Sequence, residues 1–195
     1  MKMFDKKISL ALFSLLLVGC GQVESTPVSA TDISSERVEV SQTLKGEHQV
    51  WLDAINEARA QVRDCHDGQG SVGPSAPLRW NDYLYDSAYE HSYDLAMSDT
   101  FSHYGSGTEY DVTSDDGEPS YFYERIEANG YSDFHHLGEN IAGGQESIQE
   151  VMEAWLNSPG HCANIMSDKF SEVGMALVIQ EGTRFETYWT QNFGG

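Results

Sequence analysis

The stretch from Leu137 to Met166 constrains this chain more than any other. It begins with Gly138-Glu139-Asn140, which reads as a turn. A helix follows, with apolar residues at Ile148, Val151, Met152 and Trp155, the spacing of one buried face. Ser147, three residues before Glu150, supplies the S-x-x-E signature of a capping box. Pro159 ends that helix, and a short helical turn is expected from His161 to Met166. A carboxylate, an imidazole and the Cys162 thiol are thereby gathered around one short helix. Upstream, Phe101-Ser102-His103 can bring a second imidazole to the same place. The combination has two readings, a metal-binding cleft or a hydrogen-bonded structural core.

The N-terminus sets the compartment. Lys2, Lys6 and Lys7 precede an apolar run from Ile8 to Val18, the pattern of an export signal too short to span a bilayer. Leu17-Val18-Gly19-Cys20 resembles a bacterial lipobox, which implies cleavage after residue 19 and lipidation of Cys20. Acyl chains there would anchor the protein to a membrane, each buried methylene contributing about 0.8 kcal/mol. Gly21 carries no aspartate retention signal, so in a two-membrane bacterium the outer membrane is the expected address. Losing residues 1–19 removes three lysines and Asp5, taking the formal net charge from −20 to −22. A field of that sign excludes nucleic acid as a partner and disfavours anionic lipid surfaces. Residues 20–47, with Ser, Thr, Val and Glu and no apolar period, read as the lipidated cysteine and a flexible tether. Residues 48–195 read as one domain, large enough for its own core.

Within the domain, Trp51, Ala54, Ile55, Ala58 and Val62 predict a helix over 48–63. A second helix is expected over 82–98, capped by Asn81 or Asp82, with Leu84, Ala88, His91 and Leu95 on one face. His91 there reads as a hydrogen-bonded core histidine. Gly68, Gly70 and Gly73 match G-x-G-x-x-G, but they follow a helix and lead into Pro74 and Pro77, which excludes a dinucleotide loop. The acidic segment from Gly105 to Glu118 misses the EF-hand register and reads as a solvated, mobile loop rather than a calcium site. A short helix is expected from Pro119 through Phe122 and Ile126 to a stop at Gly130. Val173–Ile179 and Phe185–Asn192 read as a hairpin around Glu181-Gly182. Helices first and paired strands last predict an α+β fold.

Taken together, Phe101-Ser102-His103, Gly138-Glu139-Asn140-Ile141-Ala142, the run from Trp155 to Met166, and Tyr188-Trp189-Thr190-Gln191 resemble the bacterial branch of the CAP superfamily. That superfamily holds the cysteine-rich secretory proteins, antigen 5 and the pathogenesis-related protein 1 group. The resemblance covers about His48 to Gly195. It implies an α-β-α sandwich with a small antiparallel sheet flanked by helices, and a cleft lined by two histidines and acidic residues. His103 and His161 match the family's histidines and Glu139 its Gly-Glu-Asn glutamate, with Asn140, Ser158 and Asn164 along the same cleft. Ser158 stands where eukaryotic members carry a second glutamate, so the four-residue site is incomplete. Glu172 is typical of the bacterial branch and is expected in a structural salt bridge.

With Cys20 committed to lipid, Cys65 and Cys162 remain as an even pair in an oxidising compartment, where a disulfide is expected. For function, the leading expectation is a non-enzymatic extracellular binding module. His103, His161 and Glu139 would hold a divalent ion, zinc foremost, or a small ligand. The structural alternative is that Glu139 simply orients the imidazoles and stabilises the cleft wall. A hydrolase acting on envelope or extracellular substrates through metal-bound water or a His/Glu pair is the first functional alternative. Against it, the chain has no H-E-x-x-H and no G-x-S-x-G. Adjacent His161 and Cys162 also point in different directions on a helix. Lipid or sterol binding, known for some relatives, is the second alternative, although core packing is the default role of the many aromatic side chains. The partner beyond the membrane anchor, small ligand or extracellular protein, is not specified by these motifs.

Overall fold

The structure is a computed structural model and describes residues 46–195. The export signal, the Cys20 lipidation site and the tether up to residue 45 lie outside the described residues. Helix α1 covers 46–59 and buries Ile55, Ala58 and Arg59. It stops short of the expected residue 63, and Val62 is exposed. The Arg59 carbonyl accepts from the Ser75 amide at 2.8 Å instead of continuing the helical ladder, and its guanidinium turns inward to donate to the carbonyls of Ala76 (2.7 Å), Ile165 (2.6 Å) and Ser167 (2.9 Å). The chain then leaves as β1 (Arg63–Asp64), which pairs antiparallel with β2 (Ser71–Val72).

The main sheet contains β3 (Arg79–Trp80), β4 (Leu137–Gly143), β5 (Glu172–Ile179) and β6 (Thr187–Gly194) in the order β3-β5-β6-β4. The β5–β6 hairpin and β4 are antiparallel as expected, but short β3 runs parallel to β5, so the sheet is mixed. The run Gly138-Glu139-Asn140, expected as a turn, is strand. Its residues pair in register with Phe193, Asn192 and Gln191 of β6, and that pairing overrides the local turn preference of Gly and Asn.

Side chains alternate along β6. Trp189 and Phe193 enter a core with Ile55 of α1, Val151, Met152 and Trp155 of α4 (Ile148–Leu156), and Cys162 and Ile165 of α5 (Pro159–Met166). Thr190 and Asn192 face the other way and bond Ser92 and Ser87 of α2 (Asp82–Ser98) at 2.9 and 3.1 Å. This alternation makes the three layers of an α-β-α sandwich. Asn81 caps α2, its side-chain oxygen accepting from the amides of Tyr83 and Leu84. A Cβ at Gly174 would strike the backbone of Leu84 and Tyr85, so glycine permits α2 to lie directly on β5.

Pro159 begins α5 at its first turn as well as closing off α4. At α4 the Ser147 hydroxyl accepts from the Glu150 amide, but the Glu150 carboxylate accepts from Glu146 rather than Ser147, so the capping box is displaced by one residue. Helix α3 (Phe122–Ala128) ends at Asn129 and Gly130, the latter at φ 98°. It starts later than Pro119 because Ser120 is engaged with Asp111. That aspartate corrects the picture of a wholly solvated acidic loop. It is buried, accepting from Gly107 and from the backbone and hydroxyl of Ser120, while Glu109, Asp115, Asp116 and Glu118 remain exposed. Glu172 meets its expectation, pairing with Arg79 at 3.6 Å and accepting from the Tyr131 hydroxyl at 3.0 Å. Among the described residues no helix is long and apolar enough to cross a membrane.

Cys65, just after β1, is bonded to Cys162 of α5, with Cα atoms 5.5 Å apart. The bridge spans a sequence separation of 97 and fastens α5 to the segment beyond α1. In the chain-entropy account a closed loop of this size restrains the unfolded state by about 4–5 kcal/mol. Cys65→Ser/Cys162→Ser should therefore lower the urea midpoint by an equivalent of several kcal/mol. Equal midpoints for the oxidised wild type and the variant would show that the bridge adds nothing to stability.

Candidate functional site

A buried carboxylate organises the site. Glu139 projects from β4 with its side chain 2% exposed. Its Oε1 accepts from His103 Nδ1 at 2.8 Å and its Oε2 from Arg125 Nη2 at 3.0 Å. Arg125, buried on α3, also donates to the His103 carbonyl at 3.0 Å and to the backbone and hydroxyl oxygens of Ser120. One guanidinium therefore fixes the carboxylate, the backbone that carries the imidazole, and the end of the acidic loop. A third member is His91, fully buried on α2, whose Nε2 lies 3.9 Å from Glu139 Oε1. That nitrogen donates to the Ser102 carbonyl at 2.9 Å, which assigns its proton.

The charges follow from these contacts. Burial alone would push the Glu139 carboxyl up, but His91, the His103 hydrogen bond and Arg125 outweigh it, and the net displacement is downward. Glu139 is ionised. Burial lowers His91 to about 4, against the opposing pull of Glu139, so it is neutral near pH 7. His103 is half exposed and turns its Nδ1 to Glu139, which leaves Nε2 as the ring nitrogen not engaged with the carboxylate. His161, in the first turn of α5, is lowered by burial and secondarily by the nearby His103.

His103, Tyr104, Tyr121, Gly138, Glu139 and Asn164 line a cleft of ≈ 510 Å³. Asn164 donates to the Glu139 carbonyl (3.2 Å) and the Asn140 side-chain oxygen (2.9 Å). Asn140 is wholly buried and bonds Gln191 and the His161 carbonyl, so it supports the cleft from behind. Neither Ser158, the partly buried N-cap residue of α5, nor His161 lines this cleft. The structure thus joins His103 directly to Glu139 and hangs His161 from Asn140, while leaving Ser158 aside.

A metal fits part of the expected set. Both Glu139 oxygens are already engaged, so the carboxylate suits an orienting role better than coordination. His103 Nε2 and the His161 imidazole are the groups able to ligate. Among the described residues no cluster of three or more His, Cys, Asp or Glu side chains is arranged around an ion. Sequence reasoning missed Arg125 and the part His91 plays. The usable signal for Arg125 was its isolation, since no lysine or arginine occurs between it and Arg79.

The model for the family described as CAP, cysteine-rich secretory protein family, matches residues 52–193. The Bacillus subtilis (strain 168) protein YkwD is 34% identical over 119 residues, 61% of this chain and 40% of its own length. The membrane protein YlbC of the same organism is 30% identical over 147 residues, 73% of this chain and 36% of its own length. The chain thus matches about two-fifths of the length of these curated relatives. An extracellular protein containing an SCP domain from Bacillus anthracis str. Ames superposes with TM-score 0.56 at 24% identity, over 87% of this chain and 45% of its own. An outer surface protein from Borrelia burgdorferi superposes with TM-score 0.50 at 22% identity, over 62% and 79% respectively. At these identities the structural likeness bears on the fold alone.

The buried imidazole makes stability depend on pH. The unfolded chain protonates His91 near 6.5, whereas the folded chain does so only at about 4. Between those values the unfolded state binds the extra proton, so stability is full above pH 6.5 and falls as pH drops toward 4. Urea midpoints should lose the equivalent of about 3 kcal/mol across that window. His91→Gln, whose amide can still donate to Ser102, should flatten it. The depressed Glu139 acts lower, its contribution present above about pH 4.5 and lost as pH falls through the folded value. An unchanged slope above pH 4 in His91→Gln would contradict this assignment.

Proposed function

The chain belongs to the cysteine-rich secretory protein family, and from that premise we propose that it is a non-catalytic extracytoplasmic binding module. A divalent ion, zinc foremost, or a small ligand is taken by His103 in the cleft together with His161, which stands near His103 outside the cleft lining. One observation carries this reading: Glu139 engages His103 Nδ1 and leaves Nε2 as the ring nitrogen able to ligate. A carboxylate behind a histidine is the usual outer support of a ligating imidazole. When bound, zinc would supply a Lewis acid with open positions for water or a ligand. Two imidazoles without a third protein ligand suit affinity in roughly the micromolar range, well short of a structural zinc.

A thiol route to hydrolysis is closed, because Cys162 is consumed in the disulfide with Cys65. Ser102 is also engaged, its hydroxyl accepting from the Tyr104 amide at 3.0 Å. Lipid binding keeps one observation in its favour, an open groove of ≈ 570 Å³ floored by Ala54, Ala58, Ile148, Met152 and Leu156. Glu57, Arg63 and Glu153 on the same groove weigh against an acyl chain. Placement at the envelope rests on Cys20. The Bacillus anthracis neighbour is described as extracellular and the Borrelia burgdorferi one as an outer surface protein, which agrees with that placement.

Calorimetry with zinc near neutral pH tests the proposal. His103→Ala and His161→Ala should each weaken binding at least about tenfold, and Glu139→Gln by about ten- to a hundredfold. Protons compete for the ligand nitrogens, and His161 is held below the ordinary imidazole value. Loss of binding through that group should therefore begin below about pH 6.5. Equal heats in wild type and both histidine variants would leave only a structural role for the cluster.

A further inference from the structure

Eight of the ten tyrosines fall between Trp80 and Glu124, a stretch with eleven aspartates and glutamates and no lysine or arginine. Their placement on α2 is regular. Tyr85, Tyr89 and Tyr93 repeat every four residues along the outer face, and Asp82, Asp86 and Glu90 form the adjoining row. Successive tyrosine rings are 6.3 Å apart, and the Tyr89 and Tyr93 planes are nearly parallel at 21°. Tyr110, delivered by the acidic loop, stands at 75° to Tyr93 with its ring centre 6.2 Å away. Tyr89, Tyr93 and Tyr110, with Asp86, Glu90 and Val112, line a cavity of ≈ 350 Å³ that shares no residue with the His103 cleft.

We propose that this cavity binds the trimethylammonium group of a small, choline-type organic cation. Three features select that chemistry. The rings stand at different angles, and aromatic faces attract a cation electrostatically. The lining carboxylates Asp86 and Glu90 set a negative field, and no lysine or arginine lines the cavity, which also disfavours a phosphate beside the cation. The third concerns hydrogen bonding. Both Glu90 oxygens are occupied, one by Thr113 and the other by Asn129, so the wall supplies charge while its inner acceptor is taken. Asn129, which closes the cavity, spends its amide on Glu90 and the Arg125 carbonyl. A primary ammonium or a sugar would need such partners, whereas a quaternary ammonium has no N–H to satisfy. Exposed Val112 offers the methyl groups an apolar wall.

Saturation-transfer NMR on the full chain, with choline chloride as the probe, tests this. Ring protons should transfer saturation to the N-methyl signal in wild type. The neutral isostere 3,3-dimethylbutan-1-ol and a methyl glucoside should each bind more weakly than choline. Tyr93→Leu should weaken choline about two- to fivefold and Tyr89→Leu/Tyr93→Leu roughly tenfold, since each exposed ring contributes modestly. Tyr89 and Tyr93 are exposed, so these variants retain the α2 core, which the methyl region of the same spectra verifies. Asp86→Asn, at the rim, should weaken binding about twofold at low salt and less at high salt. Absence of transfer in wild type, undiminished binding in the double variant, or equal or tighter binding of either neutral probe would overturn the proposal. A zinc titration by His103 is independent of every one of these outcomes.

Discussion

The Glu139–Arg125 pair is the interaction on which the site depends. A carboxylate this deeply buried is tolerable only when its charge is matched and its lone pairs are used. Arg125 Nη2 and His103 Nδ1 do both, one on each oxygen. Such a pair contributes little net stability against an apolar substitute, yet leaving one partner alone costs about 3–5 kcal/mol. Its effect is therefore one of specification. Because Arg125 also holds the His103 and Ser120 carbonyls, α3, the acidic loop and the imidazole must arrive together around β4. Two buried aspartates extend this framework, Asp111 of the loop through Ser120 and Asp94 of α2 through Ser106.

The second histidine is positioned by different means. Helix α5 has eight residues, too few to persist without tertiary support. It is held near its start by Asn140, which donates to the His161 carbonyl, and at Cys162 by the disulfide. Its far end is held by Arg59, whose guanidinium donates to the Ile165 and Ser167 carbonyls. A cation at a helix C-terminus opposes the negative end of its dipole as well as satisfying orphaned oxygens. Asn164 then reaches from the same helix to the Glu139 backbone. The two imidazoles thus come from separate supports that share only β4.

Much of the scaffold was legible because it obeys one period at a time. The apolar rows of α2 and α4 and the β-rich segments on either side of Glu181-Gly182 place those elements within a residue or two. Non-local pairing defeated the rest. Gly138-Glu139-Asn140 has the composition of a turn, and only β6 makes it a strand. The helical pattern runs on to Val62, but the Arg59 carbonyl has already turned to the Ser75 amide. Asp111 looks like its solvated neighbours until Ser120 folds over it. Of the site, His103, Glu139 and Asn164 were readable, and Asn140 too, though as support rather than lining. His91 was read correctly as a core histidine, but its approach to Glu139 depends on how α2 crosses the sheet. Arg125 offers only its isolation from other cations along the chain, and the helix around it carries no pattern that marks a buried guanidinium.

Burial of the two arginines also shapes what the exterior can attract. The chain has eleven lysines and arginines against thirty-one acidic residues, and two of its few cations, Arg59 and Arg125, are withdrawn into the interior. The positive charge spent there neutralises Glu139 and caps α5, so it does little to offset the acidic surface. Two environments result. In the cleft, Arg125 cancels the carboxylate and neutral nitrogens become the recognition groups. On the outer face of α2 the carboxylates are uncompensated, and ring faces stand among them. Both environments disfavour anions, the first through its lone pairs and the second through its field. The same scarcity of cations that leaves the core few arginines to use therefore leaves the exterior with a field that attracts positive charge and repels negative.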